Sequence, residues 1–176
     1  MFLIFLIKKK RFKINNQLKK VISPLLKKIK LPNNTFVHRD FHVSNLMLKK
    51  KVISVIDSQD AVYGNIAYDL ASLIDDVRLR TSKNVKEMIY QEYLYLNKKK
   101  INIKKFKNDF EILSVLRNLK IIGIFTRLAN RDNKKQYLKL IPHAWELIEL
   151  RINNNYIFKD LKKNLETNFL KKIRIK

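Results

Sequence analysis

Apolar residues recur at a helical spacing along most of the chain and gather into short, strand-like runs in only three places. From Asn16 to Lys30 the positions Leu18, Val21, Ile22, Leu25, Leu26 and Ile29 fall on one face of a 3.6-residue repeat. Ser23-Pro24 inside that run suits an N-cap followed by a first helical residue, so the pattern predicts one kinked helix or two short ones. Leu31-Pro32-Asn33-Asn34 then breaks the helix. Thr35-Phe36-Val37 reads as a short strand entering a polar loop. Leu46-Met47-Leu48 and Val52 to Ile56 read as two more strands, joined by Lys49-Lys50-Lys51 into a hairpin with a solvated turn.

Beyond the hairpin the pattern is helical throughout: Ala67 to Leu79, Asn84 to Leu96, Lys105 to about Asn130, Gln136 to Ile152 with Pro142 inside, and Lys159 to Leu170. The expected fold class is therefore α+β and mostly helical. No internal repeat and no linker rich in Pro, Gly or Ser divides the chain, which reads as a single domain over residues 1–176.

Composition narrows the chemistry. Two glycines in 176 residues, Gly64 and Gly123, cannot form a glycine-rich phosphate loop. Absence of cysteine removes disulfides, a thiolate nucleophile and cysteine metal sites. The formal charge of +24 taken alone points to nucleic acid or an anionic membrane. The excess, however, is lysine spread through every segment, whereas phosphate- and base-reading surfaces favour the bidentate fork of arginine. We read the charge as background composition that attracts anionic substrates at low salt, with no specific nucleic acid as partner. The opening Met1-Phe2-Leu3-Ile4-Phe5-Leu6-Ile7 is too short to span a bilayer and lacks the flanks of a signal peptide, so it reads as a packing segment of a cytoplasmic protein.

The informative stretch is His38-Arg39-Asp40-Phe41-His42-Val43-Ser44-Asn45, followed one hairpin later by Val55-Ile56-Asp57. Asp-x-x-x-x-Asn presents a carboxylate at the start of one loop and an amide oxygen at its end. Asp57, leaving the second hairpin strand, would bring another carboxylate to the same edge. Three oxygen donors are what a hard cation prefers, and phosphoryl transfer to a hydroxyl needs a carboxylate near the attacking oxygen together with ligands that hold magnesium.

"HRDFHVSNLML" followed by "VISVIDSQDAVYGNIAYDLASLIDD" resembles the aminoglycoside phosphotransferase family, relatives of the protein kinases. The later "GIFTRLANRDNKKQYLKLIPHAWELIEL" is most similar to its branch of anomeric kinases acting on the cell-wall amino sugars N-acetylmuramate and N-acetylglucosamine. The resemblance runs from Phe36 to about Leu150 and implies the C-terminal lobe of a kinase-like fold with a short catalytic hairpin. It implies ATP and Mg2+ as cofactors and a small-molecule hydroxyl compound as substrate. Asp40 would orient and deprotonate the acceptor hydroxyl, and Asn45 and Asp57 would bind the magnesium that bridges the phosphates. Asp69 would brace the loop by accepting its backbone N–H groups. His38 and His42 would hold the loop's shape, Arg39 would do the same or face the substrate, and Gln59 and Asp60 extend the metal-binding segment without an assigned role.

Two departures from the family pattern stand out. Ser58 follows the metal-binding aspartate where the family commonly has an aromatic residue. The glycine-rich loop, the lysine on the following strand and its helix glutamate, which together cradle the nucleotide, are missing from residues 1–176. The resemblance thus implies a partner, a separately encoded N-terminal lobe, for an active enzyme. A degenerate pseudokinase or scaffold is the alternative, and a basic nucleic-acid binder the third class.

Other residues carry plainer readings. Asp75 and Asp76 are expected on a solvated acidic helix edge. Arg127, Arg131 and Asp132 fit either a sugar contact or a salt-bridged helix end. Tyr90, Tyr93, Tyr95 and Trp145 are expected to pack a core with their polar atoms at its rim.

Overall fold

The computed structural model describes residues 11–169, and their side chains from residue 16 onward. The amino-terminal apolar heptad Met1 to Ile7 lies outside them. The chain gathers into two compact units, one formed by Ile29–Ser114 and the other by the residues up to Lys28 together with those from Val115 onward.

In the Ile29–Ser114 unit, two antiparallel ribbons precede the helices. Strands β2 (Leu46–Lys49) and β3 (Val52–Val55) form the hairpin, in register Leu46 opposite Val55 through Lys49 opposite Val52. Its two-residue turn puts Lys50 and Lys51 at φ 47° and 65°, a pair of left-handed residues that matches the twist of the strands. Lysine fills positions where Asn-Gly is usual, at a modest conformational cost.

The second ribbon pairs β1 (Thr35–Val37) with a strand the apolar pattern does not predict, β4 (Val62–Gly64), with Thr35 opposite Gly64. A Cβ at Gly64 would stand 3.0 Å from Cγ2 of Val37, so any other residue would require that side chain to give by a few tenths of an ångström.

Helices α2 (Ala67–Ile74), α3 (Lys83–Asn97) and the first part of α4 (Ile103–Arg131) enclose the core of this unit. Ala67, Leu70, Ala71 and Ile74 of α2 pack with Leu94 and with Phe106 and Phe110. Tyr90 and Tyr93 lie against those two phenylalanines, with ring centroids 4.9 to 6.1 Å apart, so both serve packing as expected. Tyr95 turns outward beneath Lys98. Ser82 caps α3 by accepting the N–H of Val85.

Helix α2 ends five residues before the expected Leu79, and the acidic pair explains why. Asp76 accepts the backbone N–H of Arg78 at 3.1 Å and its guanidinium at 3.3 Å, a local turn that competes with the helix. Asp75 accepts the Ser114 hydroxyl at 2.5 Å and the Lys86 ammonium at 3.1 Å. Both carboxylates are buried, which corrects the expectation of a solvated edge. Asp75 is drawn in by Ser114, 39 positions away and invisible in the local pattern. Asp76→Ala should therefore lower stability by about 1 kcal/mol, the net worth of a typical hydrogen bond. Thermal unfolding indistinguishable from the parent protein would restore the exposed reading.

In the other unit, α1 (Arg11–Lys27) packs against α6 (Lys159–Asn168), and α5 (Ile141–Ile152) also meets α6. α1 is one helix with Pro24 inside it, the first of the two arrangements that Ser23-Pro24 allows. The expected helix from Gln136 divides at Pro142: a 3-10 stretch, Lys135–Leu140, precedes α5, and Pro142 sits in its first turn, where its missing N–H costs nothing. Trp145 is buried against Phe169.

Candidate functional site: a clamped loop beside a hairpin

The segment His38 to Asn45 links β1 to the hairpin, and its backbone is fixed from below. The N–H groups of His38 and Arg39 both donate to the Asp69 carboxylate, at 2.7 and 3.1 Å. Arg39 sits at φ 72°, and this left-handed step turns two successive N–H groups toward one anion. Asp69 lies in the first turn of α2, where the positive end of the helix also favours a carboxylate.

His38 is buried, and its Nε2 donates to the Ile56 carbonyl at 2.8 Å. A carbonyl only accepts, so the ring proton is on Nε2. This bond ties the start of the loop to the end of β3. Phe41 meets the His38 ring edge-on at 6.1 Å. His42 is buried as well, and its carbonyl accepts the Asn45 N–H at 2.9 Å, closing the one-turn 3-10 helix Val43–Asn45. Arg39 extends its guanidinium to the Asp60 carbonyl at 3.3 Å.

Asp40 is exposed at the loop's crest. Its carbonyl accepts Nδ2 of the buried Asn45 at 3.0 Å. That bond decides which way the amide points, since only its NH2 can face a carbonyl. Oδ1 of Asn45 is left without a partner among the described residues, available as an acceptor. The Asn45 carbonyl accepts the Ile56 N–H at 3.1 Å, so Asn45 and the residue before Asp57 are joined at one end of the hairpin. Asp57 is exposed and adopts φ 61°, ψ 42°, a left-handed turn that stops β3 and starts the 3-10 stretch Ser58–Asp60. Ser58, Gln59 and Asp60 are all exposed.

The structure thus gathers His38, Arg39, Asp40, His42, Asn45, Asp57 and Asp69 around one loop. Two of these residues, Arg39 and Asp57, adopt the left-handed geometry that is uncommon for residues with side chains. The remaining candidates fall elsewhere. Arg131 closes the end of α4 by a two-pronged bond to Asp132, at 2.6 and 3.0 Å. The hydrogen bond from Arg131, ahead of nearby positive charges, holds the Asp132 carboxyl below its ordinary range. That geometry is the salt-bridged helix end. Arg127 is exposed.

Sequence reasoning misses Asp109. It is fully buried and accepts four hydrogen bonds, from the N–H groups of Lys30 and Leu31 at 2.8 and 2.7 Å and from the side chains of Asn65 and Asn108 at 2.8 and 2.9 Å. Asn65 in turn caps the start of α2 through the Ala67 N–H. Asp109 therefore sets where the chain approaches β1 and where α2, carrying Asp69, begins. Its only signal is its helical spacing from the apolar Phe106, Ile112 and Leu113 of α4.

The donor set is of the hard, oxygen type, suited to magnesium or calcium over soft metals. Among the described residues no three His, Cys, Asp or Glu side chains cluster as a metal cage. A site with one carboxylate and one amide fits magnesium in particular, which keeps its waters and takes substrate phosphates as further ligands.

The loop is braced on a helix carboxylate, with an exposed acid at its crest and an oriented amide at its end. The chain belongs to the phosphotransferase enzyme family, APH, whose pattern matches residues 8–101. It is 33% identical over 150 residues to the N-acetylmuramate/N-acetylglucosamine kinase of Neisseria meningitidis, a match covering 82% of this chain and 45% of that protein. The kinases of the same name from Caulobacter vibrioides and Pseudomonas aeruginosa are 29% and 32% identical over 133 and 122 residues, covering 73% and 66% of this chain and 36% of each relative. The chain thus spans less than half the length of these curated relatives. Among the described residues no helix is long and apolar enough to cross a membrane.

Proposed function

We propose that the chain supplies the acceptor and metal side of an ATP-dependent phosphotransferase acting on a hydroxyl of an amino sugar of the N-acetylmuramate or N-acetylglucosamine type. The observation that carries this reading is the bond from Asn45 to the Asp40 carbonyl, which couples the orientation of an amide oxygen to that of the loop bearing the exposed acid. The names of the relatives support the substrate class.

In this reading the Ile29–Ser114 unit is the catalytic part of a kinase-like lobe. Asp40 accepts the proton of the acceptor hydroxyl as its oxygen attacks the terminal phosphorus of ATP. The new P–O bond forms to the sugar, the bond to the bridging oxygen breaks, and ADP leaves with that electron pair. Asn45 through Oδ1 and Asp57 through its carboxylate would hold magnesium, which when bound neutralises charge on the phosphate oxygens. Asp69, His38 and His42 keep the loop from relaxing, so that positioning is present before substrate arrives.

Residues 1–176 contain no glycine-rich loop to cover the phosphates, and the hairpin displays apolar side chains to solvent, with Leu48 75% and Ile53 64% exposed. A surface of that kind favours a covering segment, and a nucleotide-binding lobe, joined or separate, is the partner we assign to it.

An ADP-release assay with magnesium and each sugar tests the proposal, run on the chain alone and on the chain co-expressed with the nucleotide-binding half of the Neisseria relative. Sugar-dependent turnover is expected from the pair and not from the lone chain. ADP release by the pair that ignores the sugar would rule out the amino-sugar assignment.

A further inference from the structure

A cavity of about 660 Å³ opens within the Ile29–Ser114 unit, among β1, Phe41 of the loop, α2 and α3. Its walls are mainly apolar, with Phe41, Ile66, Leu70 and Ile89 among them. The volume lies in the range of small-molecule sites, roughly 300–1,000 Å³. None of Asp40, Asn45 and Asp57 lines it, so it is separate from the groups assigned to phosphoryl transfer.

The charge of the lining is the informative feature. Asp69 and Glu92 reach the cavity, and no lysine or arginine is among the described residues that line it. The chain as a whole carries 39 Lys and Arg against 15 Asp and Glu. A lining that merely sampled this composition would be cationic, and this one is anionic. Tyr93 is also in the lining, and burial first, then the negative charge of Asp69, push its phenol above the ordinary value. A nucleotide, a phosphate or a fatty acid would meet charge of its own sign here.

We propose that this cavity binds a small amphiphile with an aromatic or aliphatic body and a cationic amine head. The body would lie against Phe36, Phe41 and Leu70, and the amine would face Glu92 and Asp69. Aromatic faces beside the amine add cation–π attraction. Since Asp69 also holds the N–H groups of His38 and Arg39, the ligand would share a carboxylate with the clamp beneath the loop.

Calorimetric titration of the full chain with phenylbutylamine, phenylbutanol and phenylbutyrate, three ligands of one body and different head charge, tests this inference without any need for kinase activity. A protein of charge +24 should favour the carboxylate at a nonspecific surface, so preference for the amine is diagnostic. We expect saturable binding of the amine, at least about tenfold tighter than of the carboxylate, a difference of 1.4 kcal/mol. Glu92 is exposed, so Glu92→Lys should leave the fold intact while reversing the order of the two. Absence of saturable amine binding, equal or tighter binding of phenylbutyrate, or an amine affinity indifferent to Glu92→Lys would each overturn the proposal.

Discussion

In the chain co-expressed with a nucleotide-binding half, Asp40→Asn is expected to lower sugar-dependent turnover by on the order of 10²- to 10⁴-fold, the usual loss when a positioned general base is removed. ATP binding should change little, because in the proposed function Asp40 meets the acceptor and the metal side is left alone. The geometry makes the experiment clean. Asp40 is exposed, and the bond that orients Asn45 runs to its backbone carbonyl, which asparagine retains. Asp57→Asn gives the contrast, since it should raise the magnesium concentration needed for half-maximal rate and weaken ATP as well. Steady-state kinetics separate the two variants. Near-normal turnover of Asp40→Asn would show that another group takes the proton.

What could be read in the sequence followed a physical divide. The hairpin, the loop between β1 and β2 and most helix positions depend on local pattern and turn chemistry, and both are written within a few residues of where they act. Strand β4 is only three residues long and owes its state to β1, so no alternation announces it. The burial of Asp75 has the same origin, because its hydroxyl partner Ser114 lies 39 positions away. For the site, the spacing from Asp40 to Asn45 and the hairpin ending at Asp57 were legible as a constellation. The Asp69 clamp came only through family resemblance, and the left-handed turns at Arg39 and Asp57 came through neither. Positive φ at a residue with a side chain is imposed by surroundings, and nothing in an arginine or aspartate advertises it.

Asp109→Ala is expected to be among the most destabilising single substitutions in the Ile29–Ser114 unit, at on the order of 3–5 kcal/mol, since it strands several donors at roughly 1–3 kcal/mol each. The carboxylate is 0% exposed, so water cannot step in without opening the structure. Two of the four donors, the N–H groups of Lys30 and Leu31, lie 79 and 78 positions away in sequence and belong to the stretch that leads into β1. A third, Asn65, holds the start of α2. Losing Asp109 therefore frees both segments that set the loop and its Asp69 clamp, and function should fall together with stability. Asp109→Asn keeps the shape and one acceptor oxygen, and should lie between the parent and alanine variants in a chemical-denaturation series. Hydrogen exchange gives the second readout: the amides of Leu31 and His38 should lose protection in Asp109→Ala more than that of Val85, which answers to Ser82 alone. An unfolding midpoint for Asp109→Ala equal to that of the parent protein would mean that the four bonds are replaced by solvent at no cost and that Asp109 does not organise the site.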